Sequence, residues 1–127
     1  MNPQESAFGP LIDSYSRAQA IEDGELIDIS TLAKQAGFRH PIAVTSAVRN
    51  EYLEPPTGCD QSSEIRTMAM LRVLWVVSVM DGNRTELEFT VPFAMGNNHT
   101  ERVSLRAYCR PGDAMEPVIT IQLPGED

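Results

Sequence analysis

The sequence predicts an α+β domain: short N-terminal helices and one long helix packed on a C-terminal three-stranded antiparallel meander. Two observations carry this. Apolar residues recur at every second position in three segments, at Leu87, Phe89, Val91 and Phe93, at Val103, Leu105, Ala107 and Cys109, and at Ile119, Ile121 and Leu123, which is the period of half-buried strands. Upstream, residues 64–80 form a long apolar stretch whose first half has helical spacing. With 127 residues and 42% hydrophobic content, the chain can bury one core without disulfides or metal. It reads as a loose tail over 1–10 followed by a single domain over 11–127.

Taken in order, Ser16 is placed to cap a short helix over 17–23 that Gly24 stops, with Ala18 and Ile21 as its buried side. Leu26-Ile27-Asp28-Ile29 suits a small edge strand. Ser30 reads as the N-cap of a second helix, 31–36, ended by Gly37. Pro41 pushes His40 towards extended geometry, so Ile42-Ala43-Val44 approaches a third helix capped by Thr45 and running over 46–53, which Pro55-Pro56 terminates.

Ser63 is read as the cap of the longest helix, with Glu64 in its first turn, where the helix dipole favours negative charge. The run at 73–77 is apolar on every side. It predicts the half of the helix that crosses the meander, with Trp75 in the core, although a run of valines also fits a strand. The strands then pair so that residue numbers sum to an even value, with a turn near Asn97 and Glu88 opposite Arg106 on the outer face. Pro111-Gly112-Asp113 turns the chain into the last strand, and Pro124-Gly125 ends it.

The balance of 18 acidic against 10 basic residues, a net charge of -8, argues against nucleic acid or an anionic membrane as a direct partner, since both need a cationic footprint. A neutral or basic protein partner is accommodated more easily. The acid is uneven: residues 1–64 hold 10 acidic and 4 basic groups, residues 65–127 hold 8 and 6. The N-terminus has no basic or apolar signal segment and no stretch is long enough to span a bilayer, so the expected compartment is the cytosol. There Cys59 and Cys109 are expected as free thiols.

No motif announces chemistry. His40 and His99 lack cysteine or carboxylate neighbours at ligand spacing. No glycine-rich phosphate loop is present, and no serine has a histidine and acid within sequence reach. The expectation is a protein that is not an enzyme and needs no cofactor or metal. The candidate recognition residues are Glu22, Asp23, Glu25 and Asp28, four carboxylates within seven residues, together with Arg39 in the Gly37-Phe38-Arg39-His40-Pro41 turn. Such an acidic run reads either as a solvated helix end or as a surface that steers a basic groove to it. In the turn, Phe38 reads as an anchor beneath the backbone and Arg39 as the partner of a nearby carboxylate.

Four segments are shared with a known pattern: Ser14-Tyr15-Ser16-Arg17-Ala18-Gln19-Ala20-Ile21-Glu22-Asp23-Gly24, then Ala36-Gly37-Phe38-Arg39-His40-Pro41-Ile42-Ala43-Val44-Thr45, then Val73-Leu74-Trp75, then the ending from Pro111-Gly112-Asp113 onward. In order and spacing they resemble an uncharacterised family of plasmid-related proteins, a domain of unknown function from bacterial plasmids and integrative elements. The resemblance supplies no catalytic residue. It implies a mobile-element accessory protein, either a binding inhibitor of a host defence complex (anti-CRISPR or anti-restriction) or a plasmid maintenance or conjugation accessory protein that binds another element-encoded protein.

Overall fold

The computed structural model describes residues 15–81 and 84–126; the tail expected over 1–10 lies outside them. The elements run α1 (Arg17–Glu22), β1 (Leu26–Asp28), α2 (Ser30–Gln35), β2 (Ile42–Thr45), α3 (Ser46–Val48), a π-helical segment (Arg49–Leu53), α4 (Ser63–Asp81), β3 (Glu86–Ala94), β4 (Thr100–Pro111) and β5 (Pro117–Gln122). The α+β class holds, and the meander pairs as the alternation requires. Phe89 lies opposite Leu105 and Glu88 opposite Arg106, and Ala107 lies opposite Ile121. Asn97 and Asn98 turn the first hairpin at φ 52° and 59°, a region asparagine tolerates better than most residues.

The meander is only part of the sheet, which has five strands in the order β1-β2-β5-β4-β3. Ile42-Ala43-Val44, expected as a link into a helix, is a central strand that runs parallel to β5. β1 then pairs antiparallel with β2 at the far edge. Both faces of this half are covered: Ile42 and Val44 are buried on one side and Ala43 on the other. The second cover is α1, whose Arg17 donates from Nη1 to Thr120 Oγ1 at 2.7 Å and from Nη2 to the Ile119 carbonyl at 2.8 Å. Ala20 is its buried residue, where Ala18 had been expected.

Two of the four expected caps form as read. Ser16 Oγ accepts from Gln19 N and Thr45 Oγ1 from Val48 N. Ser30 does not cap; it is the first helical residue, and its hydroxyl turns sideways, donating to Asp28 Oδ1 at 2.6 Å and accepting from Ile42 N at 3.1 Å. At α4 the cap is Ser62, one residue before the Ser63 expected: its Oγ accepts from Ile65 N at 3.2 Å.

The expectation for Trp75 is overturned. The buried side of α4 is Arg66, Thr67, Met70, Leu71 and Leu74, so its first half forms the core layer. Trp75 is 42% exposed. It follows Leu74 by one residue, about 100° further round the helix, which turns it off the sheet. Its ring lies instead against Gly37, where a Cβ would come to 3.2 Å from the indole nitrogen.

Sequence reading gave no role to Arg66, which is 1% exposed. Its Nε donates to the Tyr52 carbonyl at 2.7 Å and its Nη1 to the Ala94 carbonyl at 2.6 Å. The guanidinium lies over the Phe93 ring, 5.2 Å from the centroid, and Tyr52 stacks on the same ring at 5.5 Å. No ion pair to Arg66 forms among the described residues. Neither carbonyl has another strong donor among the described residues; Cys59 Sγ reaches the Ala94 carbonyl only at 3.5 Å. Tyr52 is in the last turn of the π-helical segment, where helical carbonyls are unpaired. Ala94 is on the outer side of edge strand β3: Met95 N bonds the His99 carbonyl and Cys109 N the Thr85 carbonyl, so odd-numbered residues face β4 and even-numbered ones face the free edge. Pro92 is tolerated at that edge for the same reason, since its missing N–H breaks no ladder bond.

Hydrogen bonds to a charged donor contribute ~1.5–3 kcal/mol each, and a buried acceptor left without a partner costs ~1–3 kcal/mol. Arg66→Ala is therefore expected to lower unfolding free energy by roughly 3 kcal/mol or more in urea titrations, and Arg66→Lys to recover little, because lysine lacks the planar fork. Trp75→Ala should cost about 1 kcal/mol, in line with a half-exposed position. The reverse order would show that α4 is rotated from the orientation described.

Candidate functional site

The four acidic residues follow one another from the last turn of α1 to the end of β1, an edge strand of the sheet. Glu22 ends α1, Asp23 is its C-cap, Glu25 stands in the following turn and Asp28 ends β1, and all four are exposed. Local bonds fix the backbone beneath them. Ser46 N donates to the Glu25 carbonyl at 3.0 Å, Tyr15 Oη donates to Asp23 Oδ2 at 3.0 Å, and Ser30 N donates to Asp28 Oδ1 at 3.0 Å. Burial, then the bond to Asp23, pushes the Tyr15 hydroxyl up from its ordinary value.

The run has no basic neighbour in sequence, but the fold supplies one. Asp28 lies opposite Ala43 and Ala43 opposite Thr120, so all three share the row that Arg17 reaches across. Burial lowers the Arg17 pKa, and the fields of Asp28, Asp113 and Glu116 oppose that shift. Asp28 is thus partly offset by Arg17, leaving Glu22, Asp23 and Glu25 as the freer part of the patch. Nothing local in the sequence marks this arrangement, because Thr120 is 103 positions from Arg17.

The turn after β4 holds α1 in place. Asp113 accepts from Arg17 N at 2.9 Å and Ala18 N at 3.0 Å, so with Ser16 Oγ on Gln19 N the first three N–H groups of this short helix all have acceptors. The bonds from Ala18 and Arg17 hold the Asp113 carboxyl below its ordinary value.

Arg39 is exposed and stands apart from the acidic edge. Its neighbours Phe38 and His40 line a cleft of about 290 Å³ against α4, with Leu74, Ser78, Tyr108 and Cys109. Phe38 packs on the core as expected; the carboxylate partner expected for Arg39 is not found among the described residues. In the cleft, Ser78 Oγ donates to the Trp75 carbonyl at 2.8 Å and Tyr108 Oη accepts from Arg106 at 3.4 Å. Neither hydroxyl is bonded to a base among the described residues. Cys59 and Cys109 are free thiols. Among the described residues no three metal-ligating side chains come together, and no helix is long and apolar enough to cross a membrane.

These features define an α+β domain with a five-stranded mixed sheet, helices on both faces and an acidic edge. The chain belongs to the family of unknown function DUF6573, which residues 5–127 match. No curated protein and no solved structure matches it.

The Asp113 contact gives a pH signature. A carboxyl whose folded pKa lies below its unfolded value adds stability that is present above the unfolded value and lost as pH falls through the folded one. Asp113→Asn should therefore lower the melting temperature at neutral pH. The gap to the parent should close only as the pH drops below 3.8, the ordinary value for this group. A gap independent of pH would show that the carboxylate charge plays no part.

Proposed function

We propose that this protein acts by binding another protein, without chemistry of its own, and that the acidic edge Glu22, Asp23, Glu25 and Asp28 draws in a cationic surface of that partner. The observation that carries this reading is the run of four exposed carboxylates from the end of α1 to the end of edge strand β1, of which Asp28 alone acts on Arg17. A field of one sign raises association rates with a basic patch, and a rigid backbone keeps the charges in register. The mobile-element setting implied by the sequence resemblance points to a nucleic-acid-handling host defence complex, a CRISPR surveillance assembly or a restriction enzyme, whose basic groove the edge would occupy in place of phosphates. Arg39 would act as a peripheral contact near the cleft.

The test is a binding and defence-inhibition assay on the variant in which Glu22, Asp23, Glu25 and Asp28 become amides, with circular dichroism to establish folding. Association should slow by roughly tenfold at low ionic strength, with a smaller loss at high salt, where the charges are already screened. Asp28→Asn alone should matter less than Glu25→Gln, because Arg17 already offsets Asp28. Full activity in a folded quadruple variant removes the edge from the mechanism. Capture of an element-encoded maintenance or conjugation protein in place of a defence complex reassigns the partner.

A further inference from the structure

The second half of α4 stands over a space that the core does not fill. The buried side of the helix ends at Leu74. One turn on, Ser78 occupies the same side, and its short side chain turns back to donate to the Trp75 carbonyl at 2.8 Å. The sheet beneath carries small residues at the same place: Ala107 lies opposite Leu87 and Cys109 opposite Ile119. Small side chains facing one another leave the cleft of about 290 Å³, flanked by Phe38 and His40 on one side and by Arg84 and Thr85, just before β3, on the other. Leu87, Cys109 and Ile119 are left partly exposed around it.

We propose that this cleft binds a small amphipathic anion, an apolar body that ends in a carboxylate. Size and charge both select that class. A cavity of roughly 150 Å³ admits benzene, so 290 Å³ holds an alkyl or aryl body about twice as large. Leu87, Ala107 and Ile119 give that body hydrocarbon surface to bury against. The titratable side chains lining the space are either basic, His40 and Arg84, or neutral at physiological pH, Tyr108 and Cys109, and no carboxylate among the described residues lines it. In a chain of net charge -8 this is a place where an anion is not repelled at close range. Arg84 meets Asp81 only at 3.9 Å and through Nε, with the two side chains 67% and 48% exposed, a contact that contributes little in water. Its Nη groups have no partner among the described residues, which leaves them for a ligand carboxylate, the acceptor a guanidinium fork fits best. The inference goes beyond the acidic-edge reading. The cleft lies under α4, on the opposite face of the sheet from α1, and neither site depends on the other.

The test is an amide NMR titration of the full chain with sodium octanoate, and with octanol as its neutral counterpart. Octanoate, with about ten heavy atoms, is expected to bind with a Kd of a few millimolar or tighter, moving the Leu87, Ala107, Cys109 and Ile119 signals together and to saturation. Ser78→Leu puts a side chain into the space, so it should abolish those shifts while the melting temperature stays equal or rises. Arg84→Gln combined with His40→Gln, both at exposed positions, should weaken octanoate roughly five- to tenfold and leave octanol unchanged. Those two surface substitutions decide the matter even where Ser78→Leu disturbs α4. Shifts that do not saturate by about 20 mM or that fall outside the cleft, a folded Ser78→Leu chain that binds as the parent does, or octanoate affinity indifferent to the loss of both cations would each overturn the proposal.

Discussion

The buried guanidinium of Arg66 is the constraint on which the arrangement of the other elements depends. It joins three pieces of chain distant in sequence: the start of α4, the end of the π-helical segment through Tyr52, and the end of β3 through Ala94. Each accepting carbonyl lies at a point where regular structure runs out, a helix end and a sheet edge. A charged, planar donor with a fixed fork is suited to close both at once. The Phe93 ring beneath the guanidinium and Tyr52 stacked on that ring add dispersion and cation–π attraction where no carboxylate is available. Because Arg66 is held at both carbonyls, the rotation of α4 is set from its first turns, and Met70, Leu71 and Leu74 follow at helical spacing into the core. The cost of that rotation is borne at the other end of the helix, where Trp75, Val76, Val79 and Met80 emerge into solvent.

A second set of contacts works on the opposite face of the sheet. Asp113 and Arg17 tie the turn after β4 to α1, and Arg17 ties α1 to β5. This clasp positions the acidic edge, since Glu22 and Asp23 end α1 and β1 comes next. At the other margin of β2, Glu126 Oε2 accepts from Thr45 Oγ1 at 2.9 Å and Leu123 N at 2.7 Å. The parallel β2–β5 pair is thus pinned near its end by a residue just past the final strand. The acidic edge and the start of α4 are therefore held by separate networks on separate faces.

What could be read from the sequence was local. The meander's register followed from alternation at Leu87, Phe89 and Val91 against Val103, Leu105 and Ala107, because a slip of one residue would invert every side chain. Ser16 and Thr45 were recognisable caps because the N–H groups they serve are three residues away. The parallel pairing of β2 with β5 left no such trace: four residues of strand fit a linker equally well, and their partner is more than seventy positions on. The side of Trp75 could not be read because α4 is apolar all round over 73–77, so hydropathy there does not say which side meets the sheet. Arg66 was overlooked because an arginine in the amphipathic half of a helix normally belongs to the solvated face. At the acidic edge, exposure of the four carboxylates was foreseeable, whereas the cation beneath Asp28 depends on a long-range contact.

The central claim, that Arg66 is a buried tie between the Tyr52 and Ala94 carbonyls, can be tested on the side chain itself. Nitrogen-detected NMR of the arginine Nε–H groups, assigned through an Arg66→Lys comparison, reports how fast each exchanges with water. An Nε–H held at 2.7 Å from the Tyr52 carbonyl inside the core should exchange far more slowly than those of exposed arginines such as Arg39 and Arg72, opening only with the fold as a whole. An Arg66 Nε–H that exchanges as fast as theirs would contradict the account.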